Sequence, residues 1–141
     1  MRWIVFATLA ALFYLAHDYI LKAVSEKLNP VVSGFILSLS AFLFLGAYLA
    51  IQMFSGTRFE KLKWSELGSL SFAGLLLALA TISFIKTFEF QAPFSVAIPY
   101  IYVVMIVLGV ISGAAFFKES VSVTQLVGIA LCCIGLFLVV K

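Results

Sequence analysis

The chain has 141 residues, of which 65% are hydrophobic and only 11% charged, and its formal net charge is +3. A soluble domain is nearer half apolar and about a quarter charged, and so small a soluble core cannot hide this much apolar surface. The composition therefore excludes a nucleic-acid-binding protein, a disordered chain and a disulfide-stapled secreted domain, and it favours a protein whose solvent is the lipid bilayer.

Charged residues divide the chain into long apolar runs. A transmembrane helix needs about 20 mostly apolar residues, and in lipid only helices and closed barrels satisfy every backbone group. Runs such as 75–80 lack the alternation of barrel strands. The sequence thus predicts an all-α integral membrane protein, a single domain over residues 1–141, with five transmembrane helices near 3–24, 30–54, 66–87, 93–116 and 121–140.

The first predicted helix contains two polar residues, His17 and Asp18. Its apolar run begins like a signal peptide but continues past Asp18 without a small-x-small site, so we expect it to span the membrane. Asp18 shares a helical stripe with Tyr14 and Lys22, while His17 is expected to point elsewhere. Two interpretations follow: an Asp18–Lys22 ion pair near the helix end, or a proton or cation site with Tyr14 beside it.

The fourth predicted helix contains Pro99, which removes one backbone hydrogen bond and frees a carbonyl one turn earlier, near Ser95. Interrupted helices often line the substrate site of transporters, although a simple kink is the alternative. Tyr102 adds aromatic surface on the same helix. The predicted substrate-binding residues are therefore Tyr14, Asp18, Ser95, Pro99 and Tyr102.

Small residues mark the faces on which helices can approach closely. The fourth helix has Gly109-xxx-Gly113, and the fifth places Gly128, Cys132 and Gly135 on one stripe. Such faces pack either within one bundle or between subunits, and we predict that the fifth-helix stripe packs between subunits. Cys132 and Cys133 are adjacent and have no nearby His, so we expect neither a disulfide nor a metal site.

The basic residues give little guidance on orientation. With five spans, one side of the membrane carries five of the cations and the other side carries four: Arg2, Arg58, Lys61, Lys63 and Lys118 against Lys22, Lys27, Lys86 and Lys141. The positive-inside rule needs an excess of Lys and Arg on one side. The chain is thus either weakly biased, with its N-terminus inside, or able to insert both ways up and pair with an inverted copy.

Several landmarks together resemble one EamA-type repeat of the drug/metabolite transporter superfamily, across the whole chain. Lys22 and Pro30 match the first hairpin, and the most specific stretch is 116–139, where Phe117, Glu119, Gln125, Gly128 and Gly135 match. Tyr14-Leu15 replaces the Trp-Gly that is frequent in the family, and Leu37 and Ser38 occupy the region that often carries an Arg. Asp18 is not part of the family pattern.

The resemblance to the small five-helix bacterial and archaeal members implies one half of an inverted-repeat transporter. Such a protein moves small organic solutes or metabolites, including by efflux, across the cytoplasmic membrane. A lone repeat would then need an inverted partner, either a second copy or an inverted homologue. The other interpretation is a non-transporting accessory or assembly subunit. We expect no enzyme activity, no cofactor and no nucleic-acid partner.

Overall fold

A computed structural model describes residues 2–25, 27–57, 60 and 62–141, and its regular elements over those residues are five α-helices. They are α1 (Arg2–Ser25), α2 (Pro30–Phe54), α3 (Trp64–Glu89), α4 (Phe94–Phe116) and α5 (Val123–Val140). All five are long and apolar enough to cross a membrane. The predicted five-helix membrane fold is confirmed, and the helix limits differ from the predicted ones by only a few residues.

Local capping explains two of the helix starts. Before α2, the Asn29 side chain accepts a hydrogen bond from the Val31 backbone N–H at 2.9 Å, and Pro30 takes the first helical position, where its missing N–H costs nothing. Before α5, Ser122 and Gln125 form a reciprocal capping box, with bonds of 3.2 Å and 2.7 Å. This capping box starts α5 at Val123, two residues later than predicted.

The chain forms two compact units, Met1–Phe90 and Gln91–Lys141. In the first unit, α1, α2 and α3 all contact one another. Its buried residues lie near the end of α1, the start of α2 and the end of α3, which meet because the helices run alternately up and down. We call this region the packed end; it comprises Asp18, Leu21, Ser25, Pro30, Ser33, Gly34, Ile85 and Phe88.

The opposite end of the first unit is loosely packed. None of residues 3–16, 41–54 and 64–80 is buried, and most are exposed. We call these three segments the open end. Gly46, Gly68 and Gly74 lie there, and a Cβ added to any of them would meet no atom within 4 Å. The large apolar side chains on this surface can contact lipid, and they can also contact another protein.

The second unit is the antiparallel pair α4 and α5. Lys118, in the turn between them, has a positive φ of 55°, and the backbone N–H groups of Phe117 and Glu119 both donate to the Gly113 carbonyl. An apolar groove of about 580 Å³ lies between the helices, lined by residues such as Val107, Ala114 and Ile129. Along α5 no residue is buried.

Candidate functional site

Asp18 is a buried ionisable group inside a membrane-spanning helix. Its carboxyl oxygen Oδ1 lies 2.9 Å from Nδ1 of His17, within hydrogen-bond distance. The Asp18 side chain is 6% exposed, whereas the His17 side chain is 37% exposed. The expectation that His17 points away from Asp18 is wrong, because the imidazole is long enough to reach the carboxylate of the next residue. The two residues form an imidazole–carboxylate pair that reaches from the buried interior of the first unit to its surface.

Tyr14 packs against this pair from one turn earlier on α1. The rings of Tyr14 and His17 meet edge to face, with their centroids 6.5 Å apart and their planes at 88°. This is a favourable arrangement for two aromatic rings. His17 therefore contacts two of the predicted substrate-binding residues, Tyr14 and Asp18. The sequence did not place His17 in the site, because adjacent residues of a helix point in different directions.

Lys22 contacts α3 as well as following Asp18 along α1. Its ammonium nitrogen lies 5.4 Å from the centroid of the Phe88 ring, in cation–π geometry. Phe88 is itself fully buried and meets Phe84 edge to face at 5.1 Å. The sequence suggested only a partner on the same helix for Lys22. The structure adds an aromatic partner that only the tertiary packing of α1 on α3 could supply.

Two serines at the packed end differ in how their hydroxyls are satisfied. The Ser25 hydroxyl donates to the Lys22 carbonyl at 2.8 Å. Ser33 is 6% exposed, and its hydroxyl has no hydrogen-bond partner among the described residues. Buried polar side chains are normally hydrogen-bonded, so Ser33 is an exception in this unit. No sequence signal distinguished Ser33 from the other helical serines.

The predicted site residues of the second unit lie along the first turns of α4. Ser95 is exposed, while Pro99 and Tyr102 are half-buried. The helix runs through Pro99 from Phe94 to Phe116, so the proline does not interrupt it. None of Ser95, Pro99 and Tyr102 lines the α4–α5 groove, whose walls are apolar.

Two of the motif residues near the α4–α5 turn have clear structural roles. A Cβ added to Gly113 would lie 2.8 Å from Oε2 of Glu119, so only glycine lets this carboxylate rest against α4. Gln125 completes the capping box of α5. Glu119 and Gln125 both belong to the most specific stretch, 116–139. Their contacts explain why these residues are present without requiring that they bind solute.

The predicted packing residues of α5 are exposed. Cys132 is an exposed free thiol, and Cβ atoms added to Gly128 or Gly135 would meet nothing within 4 Å. Over the described residues, no group of three or more His, Cys, Asp or Glu side chains is arranged to hold a metal ion. The α5 stripe is thus available for contact with lipid or with another protein surface.

Five apolar spanning helices define a multi-pass membrane protein. Comparison with protein families identifies it further: the model of the EamA-like transporter family matches residues 1–141, the whole chain, and the chain belongs to this family. It is therefore a membrane transporter of the drug/metabolite superfamily, whose members are transporters and not enzymes. No curated protein and no solved structure matches the chain.

Proposed function

We propose that the protein is a secondary transporter of small organic solutes or metabolites in the cytoplasmic membrane, and that it works as a dimer of inverted copies. The observation that carries the transport proposal is the family match over all five spans. The dimer proposal is supported by the odd number of spans, since a second copy must be inverted to reproduce an inverted-repeat architecture.

The exposed small residues support contact with a second copy. Lipid tails are as apolar as leucine, so helices associate in a bilayer through close packing and not through a hydrophobic driving force. Gly128 and Gly135 on α5 and Gly46 on α2 have open space where a Cβ would be. A second copy seated on the stripe of Gly128, Cys132 and Gly135 would gain the close contacts that drive association.

We assign solute binding to the residues of both units that combine polar and aromatic groups within spans. In the first unit these are Tyr14 and Asp18, and in the second they are Ser95, Pro99 and Tyr102. The hydroxyls and the carboxylate would orient polar groups of the solute, while the tyrosine rings would contact its apolar part. Changing Pro99→Ala restores a backbone N–H to α4, and it should change transport more than it changes the amount of folded protein.

The transport proposal is tested with purified protein in liposomes. A thermal-shift screen of metabolites first identifies solutes that bind, and flux of the best binders into protein-containing and empty liposomes is then measured. Flux that exceeds the empty-liposome rate and falls in Tyr102→Phe supports transport. Binding without flux in any screened gradient would indicate the accessory-subunit function instead. Fractionation of the native membranes tests the proposed location in the cytoplasmic membrane.

The inverted dimer is tested separately from transport. Reporter domains fused after Lys141, one active only in the cytoplasm and one only outside it, should both give signal if the chain inserts both ways up. A single orientation with full transport activity and no inverted partner would contradict the inverted dimer. Gly128→Leu and Gly135→Leu should lower the crosslinked dimer population, whereas unchanged crosslinking would place this stripe outside the subunit interface.

A further inference from the structure

The imidazole of His17 joins a buried carboxyl group to the surface of the first unit. Asp18 is almost completely buried, and Oδ1 lies 2.9 Å from Nδ1 of the much more exposed His17. Ionisable residues inside membrane spans usually face the bundle interior or a water-filled cavity, and they often mark ion or proton pathways. Histidine changes its charge near neutral pH and exchanges protons through two distinct nitrogens.

We propose that His17 and Asp18 form a proton-binding pair, in which His17 takes protons from water and passes them to Asp18, and that this pair couples solute movement to proton movement. The proposal deepens the transport function proposed above and rests on it. It assigns the proton as the coupling ion and gives His17 the role of loading Asp18.

The transfer needs no co-reactant other than a hydronium ion. Starting with the proton of the neutral imidazole on Nδ1, the lone pair of Nε2 accepts a proton from a hydronium ion, which becomes water. Nδ1–H then donates its proton to Oδ1 of Asp18, so the carboxylate becomes a carboxylic acid and the imidazole is neutral again, with its proton on Nε2. The 2.9 Å separation of Nδ1 and Oδ1 is suited to this second step.

Few titratable or charged groups lie on the helices packed against α1. α2 carries no Asp, Glu, Lys, Arg or His, and its tyrosine, Tyr48, lies at the open end. α3 contributes Glu66 at its first turn, also at the open end, together with exposed Lys86 and Glu89 near its last turn. On α1 itself, the ionisable neighbours are Tyr14, Tyr19 and Lys22.

Lys22 follows Asp18 by one turn on the same stripe of α1. Its ammonium also lies over the Phe88 ring, at 5.4 Å. A cation–π contact keeps a stabilising partner beside the ammonium when Asp18 becomes neutral. Lys22 therefore has one contact that does not depend on the charge of Asp18.

The pair lies nearer the end of α1 than its start. His17 lies eight residues before Ser25, the last residue of α1. At about 1.5 Å per residue, this places the imidazole roughly 12 Å from the end of the helix. The end of α1 that meets the start of α2 is therefore the nearer end for the imidazole.

Infrared difference spectroscopy of the full chain in lipid nanodiscs tests the proposal without a known solute. A pH jump towards acid should produce the absorption of a protonated carboxylic acid in the wild-type protein. Asp18→Asn should remove the part of this absorption that Asp18 contributes, while Glu89→Gln, a change at an exposed acid near the end of α3, should leave that part unchanged. A wild-type protein whose acid absorption is unchanged in Asp18→Asn would overturn the proposal.

The role of His17 is tested by the rate at which the Asp18 absorption appears after the pH jump. His17→Gln keeps an amide donor beside the carboxylate but cannot relay a proton. We expect the rate to fall about a hundredfold, the lower range for a positioned proton-transfer group. An unchanged rate would show that His17 only hydrogen-bonds to Asp18, and it would overturn the proposal that His17 passes protons to Asp18. This variant also supplies a test if Asp18→Asn fails to fold.

The liposome experiment separates this proposal from the transport proposal. Solute flux that responds to an imposed pH gradient in the wild type and loses that response in His17→Gln supports coupling through the pair. Flux that ignores the pH gradient would overturn coupling while leaving transport intact. Protonation of Asp18 in nanodiscs without any flux in liposomes would instead contradict the transport function and, with it, the coupling that depends on it.

Discussion

The packed end and the open end of the first unit are built from the same three helices, yet they differ in what their side chains touch. At the packed end, Gly34 brings α2 close to α3, and Lys22 of α1 reaches Phe88 of α3. At the open end, a Cβ added to Gly46 or Gly74 would meet no atom of another helix within 4 Å. Hydropathy does not explain this difference, because both ends are apolar. Close approach and polar contacts explain it.

The comparison shows how a small membrane protein can be firmly packed at one end and still leave surface for a partner. In lipid, an exposed leucine costs little, because the surrounding acyl chains are as apolar as a protein core. Stability then depends on the few sites where side chains interlock. Substitutions at the packed end should therefore alter the stability of the single chain, whereas matched substitutions at the open end should not.

The largest expected effect is at Phe88, which is fully buried and lies under the Lys22 ammonium. Phe88→Ala removes both the ring packing and the cation–π contact. We expect a loss of about 2 kcal/mol, below the ~3–5 kcal/mol found in soluble cores, because lipid removes the transfer contribution. Reversible unfolding in bicelles measures this change.

Phe72 on the same helix is the matched control, since it is 61% exposed. Phe72→Ala should change the stability of the single chain by less than about 0.5 kcal/mol. Equal losses of unfolding free energy in Phe88→Ala and Phe72→Ala would show that the packed end contributes no more to stability than the open end.

The second comparison uses two glycines of α2. A Cβ at Gly34 would make ordinary contacts at 3.8 Å with Ile82 and Thr81, so the larger side chain of Gly34→Leu must push α3 away. We expect a loss of about 1–2 kcal/mol, in the lower part of the range for overpacking, because the contacts at 3.8 Å leave some room. Gly46→Leu enters open space and should leave the single chain unchanged. A reduced dimer population in Gly46→Leu, with normal monomer stability, would place a partner at the open end.

The sequence predicted the fold well because the relevant signals are local. Gaps between charges set the five spans, and Asn29-Pro30 set the start of α2. The site was harder to predict, because its contacts depend on how helices tilt and which side-chain conformers they allow. The contact of Lys22 with Phe88 joins residues 66 positions apart. The bond from His17 to Asp18 joins neighbours that a helical wheel places on different faces.

The turn between α4 and α5 offers a third comparison, between two glycines of α4. Gly113→Ala would place a methyl group 2.8 Å from the Glu119 carboxylate, which must move. Because that carboxylate is the end of a flexible side chain, we expect a loss of only about 1 kcal/mol. Gly109→Ala meets nothing within 4 Å and should be neutral or slightly stabilising, since alanine favours helix. Unfolding measurements that rank the two variants the other way would contradict the role of Glu119.

The smallest expected effect concerns the two serines of the packed end, and it differs in sign between them. Ser25→Ala removes the hydrogen bond to the Lys22 carbonyl and should destabilise the chain by about 0.5–1 kcal/mol. Ser33→Ala removes a buried hydroxyl that has no partner among the described residues. Losing an unsatisfied buried polar group should stabilise the chain, by about 1 kcal/mol.

Both variants delete one oxygen atom at the same end of the same unit, so their opposite signs isolate hydrogen bonding from side-chain volume. The measurement is the free energy of unfolding in bicelles, with dimer formation suppressed by dilution in lipid. If Ser33→Ala is instead destabilising at every dilution, the hydroxyl is satisfied within the single chain. If Ser33→Ala is destabilising only at high protein density or with a bound solute, the Ser33 hydroxyl contacts a second chain or a solute. The hydroxyl is available for that contact because it has no hydrogen-bond partner among the described residues of the single chain.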